Sequence, residues 1–279
     1  MPAAPAPRSP SDPAWTAPLL ADPHAVGDKA QRVNRMFAAI APSYDLNNRL
    51  HSLGMDQHWR NVAVKMAEVK ATDTIVDVAC GTGDLTIKFV RRQWSVVSGQ
   101  RPEGAKPGTC GRVLGIDFTY EMLLIAREKA QRMTGGTELA SAPTFIQGDA
   151  LALPVADKSA DIVSIAFGIR NVADWGKAIE EFARVLRPGG RLVILEFSLP
   201  KNAVLRGLYN FYFRRVLPRT ATWISGDKTG AYRYLPESVN TFITREEMAG
   251  RMAGAGFGAI EARALTLGIC VCYKGIRKD

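Results

Sequence analysis

Apolar positions along the chain change period several times, and each change marks an element. From Lys29 onward Val33, Met36, Phe37 and Ile40 recur at helical spacing. This pattern predicts a helix that ends before Pro42, because the residue preceding a proline is pushed out of the α region. An alternation then begins. "DTIVDVA" (73–79), "GRVLGIDF" (111–118), "TFIQGDA" (144–150), "DIVSIAF" (161–167) and "RLVILEF" (191–197) read as strands. Between them, "DLTIKFVRR" (84–92), "EMLLIAREKAQRM" (121–133) and "WGKAIEEFARVL" (175–186) read as helices. "RPGGR" (187–191) reads as a helix stop. Strands alternating with helices imply an α/β fold, a mostly parallel sheet with helices on both faces. Two β-rich runs within "GFGAIEARALTLGICVCYKGI" (256–276) close it as antiparallel strands.

Two stretches break this rhythm. Residues 1–28 hold seven prolines and seven alanines, half of the segment, and proline removes donors and blocks helix propagation, so a mostly disordered tail is expected there. Residues 93–110 contain more glycine and proline than a short connection needs and read as a surface insertion. The remainder, 29–279, reads as one domain with an N-terminal helical lid (29–70) and an acceptor-side helical insertion (199–245).

The bulk composition narrows the function less than the pattern does. With 279 residues and 47% hydrophobic content the chain can bury one sizeable core. No apolar run is long enough to span a bilayer, and no secretory pattern opens the chain, so a cytoplasmic protein is expected. Cys80, Cys110, Cys270 and Cys272 have unrelated spacings, read as free thiols, and imply no metal site. The net charge of +9 fits an anionic surface as well as solubility. There is no RNA-binding signature or Cys/His finger, and no nucleic-acid partner is expected.

Candidate chemistry starts at the turn "DVACGTGDL" (77–85). Gly81 and Gly83 let the backbone approach a ligand and start a helix behind it. A dinucleotide fingerprint would need a third glycine where Thr86 stands, and the phosphate-loop lysine is missing. Acids stand instead at or near successive strand ends: Asp77 by the turn, Asp117 placed to accept ribose hydroxyls, and Asp149 placed to accept from an adenine amine. Carboxylates rather than lysines suit a cationic ligand, and S-adenosyl-L-methionine carries an ammonium and a sulfonium. Taken singly, each acid is more often a strand-end cap or a solvated residue; together, in order at successive strand ends, they point to a ligand.

Several motifs are more particular. "YDLNNRLHSLGMDQHW" (44–59), "FGIRNV" (167–172), "RVLRPGGRLVILEFS" (184–198) and "YRYLPESV" (232–239) resemble the S-adenosylmethionine-dependent C-methyltransferases of ubiquinone and menaquinone biosynthesis. The similarity runs from about Lys29 to Ile276. It implies a Rossmann-like class I methyltransferase fold and methyl transfer to a ring carbon of a prenylated quinol, with cofactor contacts at Thr82, Asp117, Asp149 and Ala150. The chain departs from the family pattern at Ala166 (often serine), Asn47 (methionine), Asp56 (often histidine) and His51 (usually apolar).

Methylating an aromatic carbon requires ionising or polarising the neighbouring hydroxyl in a dry site. Arg170 and Asn171 are expected to face that hydroxyl, with Tyr44 and Asp45 completing the pocket from the lid. Arginine stays protonated, so Asp45 or a water is the expected proton acceptor, and His58 is the one histidine retained as an alternative base. The bland reading of Arg170 is an ion pair that caps the next helix. "LRGLYNFYFRRVLP" (205–218) reads as an amphipathic helix, either packed on the sheet or serving as a lid that leans on an anionic bilayer, which would put the protein at the inner membrane face. Between naphthoquinol and benzoquinol acceptors, demethylmenaquinol is favoured, and another small aromatic acceptor is an alternative. A cofactor-binding scaffold is a further alternative, against which the intact glycine turn, Asp117 and Arg170–Asn171 argue. RNA methylation would need an N/P-rich tetrapeptide or a cysteine nucleophile near residue 167, and neither is there. A homodimer is left to experiment.

Overall fold

A computed structural model describes residues 13–100, 111–135 and 142–279. Its sheet has seven strands in the order β3-β2-β1-β4-β5-β7-β6. They are β1 (Ile75–Val78), β2 (Val113–Asp117), β3 (Thr144–Gln147), β4 (Ala160–Ala166), β5 (Leu186–Phe197), β6 (Phe257–Leu265) and β7 (Cys270–Arg277). β1 to β5 pair in parallel, and β7 runs antiparallel to both β5 and β6. The chain winds outward from β1 to β3 and then returns to β4 on the other side of β1. That reversal opens a crevice at the carboxyl ends of β1 and β4, where ligands of open α/β sheets bind.

The alternation of side chains along each strand divides the core in two. Val76 and Val78 face a cluster with α6 (Trp175–Val185) and α10 (Arg245–Gly254). Ile75 faces the opposite cluster with α3 (Met55–Met66) and α4 (Asp84–Gln100). α5 (Tyr120–Met133) packs its Leu123 and Ala126 on Phe145 of β3. A third cluster lies above the strand ends. It joins α1 (Lys29–Ile40) to α7 (Ala203–Phe211), α8 (Leu217–Ser225) and α9 (Ala231–Asn240) through Met36, Tyr209, Phe213, Leu217 and Tyr234. Between α1 and α3 lies α2 (Tyr44–His51).

The expected amphipathic helix at 205–218 forms but is not regular α-helix throughout. After Phe211 the turn widens to a π spacing over Tyr212–Val216, with the Leu217 amide donating to the Tyr212 carbonyl. Pro218 offers no amide, and its ring crowds the turn before it, which accounts for the wider spacing at that point. Of the apolar face expected there, Tyr209 is buried while Leu208 is 63% exposed.

Two boundaries also move. The expectation of a disordered tail to residue 28 is corrected: Ala14 and Trp15 are completely buried, and Trp15 stacks on Tyr234 with ring centroids 4.3 Å apart. The Trp15 amide donates to the Thr229 carbonyl (3.1 Å), and Arg32 donates to the Ala14 carbonyl (2.7 Å). Proline forbids regular helix but not packing, and an indole with a pocket available stays buried. Residues 1–12 lie outside the described residues. The insertion expected at 93–110 likewise begins later, because α4 continues to Gln100 and Gln93 is buried, donating to the Asp73 carbonyl at 2.7 Å; residues 101–110 lie outside the described residues.

Trp15→Ala should cost about 3–5 kcal/mol of unfolding free energy, read by urea denaturation. A loss below about 1 kcal/mol would mean that the N-terminal segment contributes little to this cluster.

Candidate active site

The turn after β1 is built for close approach. Gly81 adopts φ +55°, and its amide donates to Asp117 Oδ2 at 2.7 Å. Gly168, after β4, would with a Cβ meet the Ala79 Cβ at 2.5 Å, so glycine there lets the two strand-end turns touch. Beside them is a cavity of about 150 Å³ lined by Gly81, Asp117, Phe118, Asp149, Ala150 and Asn171 among others. Asp117 also accepts from the Thr119 amide (2.8 Å), and burial pushes its carboxyl up to about 6. Asp149 accepts from the Leu151 amide at 2.9 Å. Two carboxylates and no lysine or arginine line this space. The donor set therefore fits the ribose hydroxyls and positive charge of S-adenosylmethionine and not a phosphate.

Three other residues expected at the cofactor point elsewhere. Asp77 is 1% exposed, lies outside the cavity lining, and accepts from Thr86 Oγ1 (2.6 Å) and Ser164 Oγ (2.7 Å). Burial pushes its carboxyl to about 6 as well, and its two oxygens stitch α4 and β4 to β1. The Thr82 hydroxyl donates to Asp45 Oδ1 (2.6 Å), away from the cavity. The space next to Gly83 is filled by Ala126 and Phe145.

A second cavity, of about 460 Å³, adjoins the first. Its walls are aromatic, with Trp59, Phe197, Tyr209, Phe213, Tyr232 and Tyr234 around Arg170 and His51. Phe37, Tyr44 and Phe167 line both cavities and form the boundary between them. Burial holds the Tyr44 phenol protonated by raising its pKa.

The Arg-Asn pair of "FGIRNV" is split across that boundary. Arg170 lines the aromatic cavity and Asn171 the cofactor cavity. Arg170 is 4% exposed, and its Nη1 donates to Glu196 Oε1 (2.7 Å) and to the Phe167 carbonyl (2.7 Å). Its guanidinium also lies over the Phe197 ring, 5.3 Å from the centroid. Burial opposes the charge, but Glu196 outweighs it and keeps Arg170 protonated. Asn171 donates to the Phe167 carbonyl (3.2 Å) and accepts from the Tyr234 hydroxyl (3.0 Å).

The expectation of Asp45 as proton acceptor is corrected. Its carboxylate lines neither cavity and is taken by Thr82 and by Lys129 Nζ at 2.8 Å. Lys129 also pairs with Asp84, so the group latches α2 to the glycine turn and to α5. His58 is exposed and outside both cavities, which removes it as a base. His51, set aside in the sequence, lines the aromatic cavity with Nδ1 2.9 Å from the Tyr212 hydroxyl.

Two further residues have no sequence signal. Lys29 is 2% exposed, and its Nζ donates to the carbonyls of Arg170 (2.8 Å) and Val172 (2.7 Å). Burial brings its pKa down to about 8. His24 contacts Lys29 Nζ (3.3 Å) and the Ser238 carbonyl (2.9 Å), so the N-terminal segment holds the backbone that carries Arg170 and Asn171.

A sheet that reverses direction between β1 and β4, a glycine turn, acids following the next two strands and a cation-tolerant cavity define an S-adenosylmethionine-dependent methyltransferase. Magnesium protoporphyrin IX methyltransferase from Synechocystis, solved with bound S-adenosylmethionine, shares the fold with a TM-score of 0.56 at 15% identity, over 91% of this chain and 99% of that one. Residues 25–277 match the ubiE/COQ5 methyltransferase family, and the chain belongs to it. It is 46% identical to the demethylmenaquinone methyltransferase of Thermus thermophilus over 242 residues, covering 87% of this chain and all of the relative. It is 40% identical to the ubiquinone/menaquinone biosynthesis C-methyltransferase UbiE of Geotalea daltonii, covering 89% of this chain and 97% of that protein.

Asp117 must be ionised to accept hydroxyls and to face a cation. With its free-state pKa raised to about 6, cofactor affinity should be full above that pH and fall by up to about tenfold per unit below it. Calorimetric titration of S-adenosylhomocysteine at several pH values reads this directly. Asp117→Asn should weaken binding at least about tenfold at neutral pH and flatten the dependence; an unchanged affinity would remove Asp117 from the contact.

Proposed function

We propose that this chain transfers the methyl group of S-adenosylmethionine to a ring carbon of a prenylated quinol. The observation that carries this reading is the aromatic cavity of about 460 Å³ sharing Phe37, Tyr44 and Phe167 with the cofactor cavity. Flat rings suit aromatic walls, and a cavity of this size accepts a bicyclic head with the first part of an isoprenoid chain. When bound, S-adenosylmethionine supplies an electrophilic methyl group. The protein's part is to orient the ring, exclude water and polarise a ring hydroxyl. Arg170, fixed by Glu196, and the protonated Tyr44 phenol present donors to the ring oxygens. Asn171 borders the cofactor side.

The name of the Thermus relative supports a demethylated naphthoquinol as the acceptor. Labelled methyl transfer to a short-chain demethylmenaquinol, a short-chain benzoquinol precursor and total RNA, run side by side, tests this. The naphthoquinol is expected to be methylated at least about tenfold faster than the benzoquinol, a difference of about 1.4 kcal/mol in transition-state binding. Transfer to neither quinol would overturn the reading.

A lipid-soluble acceptor also supports peripheral contact with an anionic bilayer. No helix among the described residues is long and apolar enough to cross a membrane. Val204, Leu208 and Phe211, at 72%, 63% and 64% exposure, make a stripe on α7, and Leu53 at the cavity is 90% exposed. Residues 199–226 hold Lys201, Arg206, Arg214, Arg215 and Arg219 and no acidic residue. Apolar side chains ringed by basic ones suit an anionic lipid surface. Co-sedimentation with vesicles containing anionic lipid should be strong at low salt and lost on Leu208→Glu/Phe211→Glu. Equal recovery with neutral vesicles would remove the anionic preference, and no recovery with anionic ones would remove the membrane role.

A further inference from the structure

A ring hydroxyl that must lose its proton needs an acceptor, and the aromatic cavity offers few. Arg170 has no lone pair to give. Asp56 is already taken by Arg49, Arg60, Ser52 and Gln57. Burial raises the phenols of Tyr44, Tyr209, Tyr212, Tyr232 and Tyr234, so they stay protonated. The Tyr209 and Tyr232 hydroxyls are buried without a partner, but of these groups only the His51 imidazole is basic enough to take a phenolic proton. Its Nδ1 is engaged by Tyr212, while its Nε2 is buried with no hydrogen-bond partner. A buried polar atom without a partner is costly, and in a cavity wall it points to a ligand that supplies one.

We propose that His51 Nε2 accepts the proton of the acceptor's ring hydroxyl, with Tyr212 as the positioning residue whose hydroxyl oxygen accepts from Nδ1–H and orients the ring. This rests on the quinol methylation reading above. Tyr44 and His51 lie seven residues apart, on one face of α2, about 10 Å along its axis at 1.5 Å per residue. Helical side chains lean toward the N-terminus, which carries the imidazole toward the wall shared with the cofactor cavity. A ring touching that wall can therefore bring its hydroxyl to Nε2.

In the step, the O–H bond breaks and an N–H bond forms at Nε2, leaving its electron pair on the ring. The ortho carbon forms the new C–C bond with the methyl group as the C–S bond breaks, and the sulfur keeps that bonding pair as a neutral thioether. That carbon then loses its hydrogen to water as a proton, and His51 returns the first proton to the ring oxygen. The net change is one methyl gained and one proton released.

Burial lowers the pKa of His51, so the imidazole is neutral and able to accept at physiological pH. The charges on the elements around it are paired among themselves, Arg49 and Arg60 with Asp56 on α2 and α3, and Arg214 with Glu237 beyond Tyr212; Arg215 is exposed.

The first test needs no turnover. ¹⁵N shifts of His51 in the full-length protein should show Nδ1 protonated and Nε2 bare, and Tyr212→Phe should redistribute the tautomers. A proton on Nε2 in the wild type would overturn the proposal. In the labelled-methyl assay at saturating S-adenosylmethionine, which takes the Asp117 titration out of the rate, His51→Asn should lower kcat by about 10²–10³-fold, leave S-adenosylhomocysteine affinity unchanged, and remove the acidic limb of the pH–kcat profile. Imidazole in the buffer should restore part of the rate to His51→Ala. If the wild type methylates quinol and His51→Asn keeps its rate within about threefold with the acidic limb intact, His51 is not the acceptor, while the function stands. If the wild type methylates no quinol, the function falls and the role of His51 as its proton acceptor falls with it, whatever the shifts show.

Discussion

A guanidinium can be buried only with a partner, and the pair of Arg170 with Glu196 is the constraint around which the site is arranged. Their side chains are 5% and 2% exposed. Removing either one would strand a charge at a cost of about 3–5 kcal/mol. Glu196 lies near the end of β5 and also receives the amides of Arg170 (3.3 Å) and Phe197 (2.8 Å). Arg170 in turn bonds to Ser238 Oγ of α9 (3.3 Å) and offers its carbonyl to Lys29 of α1. One ion pair thus joins two central strands to both helical segments that cover them. Substituting Arg170 would therefore weaken the fold as well as the site, because Glu196 would be left buried and unpaired.

The two cavities depend on this junction for their relation to each other. Phe167 precedes the Arg170 turn and adopts φ +58°, and its carbonyl receives both Arg170 and Asn171. Its ring forms part of the shared wall with Phe37 and Tyr44 from the N-terminal helices. The wall therefore has one side fixed by the sheet and another carried by α1 and α2. The second side is held down by separate ties: Lys129 with Asp45 and Thr82 at one end, and Trp15 on Tyr234 at the other. These ties fix the position of the shared wall relative to the sheet.

Much of this was legible in the pattern of the chain. The strands and helices of the sheet, the antiparallel closure, and the positions of Asp117 and Asp149 at successive strand ends follow from periodicity and from where such folds bind ligands. Asp77 was misread for a reason present in the same alternation. It sits inside β1 on the face of Ile75, so it meets Ser164 and Thr86 rather than the crevice. Asp45 was misread because α2 turns its carboxylate toward α5, a contact with Lys129 that lies 84 residues away in sequence. His24 and Trp15 carried no local signal, since a proline-rich stretch looks the same whether or not a pocket receives its side chains, and Lys29 looked like any exposed residue at a helix start. His51 was set aside as a departure from its family's pattern, yet its Nε2 is a buried nitrogen without a partner in the aromatic cavity.

The relation between the two cavities is tested most directly by a crystal structure of the protein with S-adenosylhomocysteine and a short-chain quinol. The sulfur should face the wall of Phe37, Tyr44 and Phe167, with the ring in the aromatic cavity and its reactive carbon about 3–3.5 Å from where the methyl would sit. A ring bound outside that cavity, or a sulfur turned away from the shared wall, would contradict it.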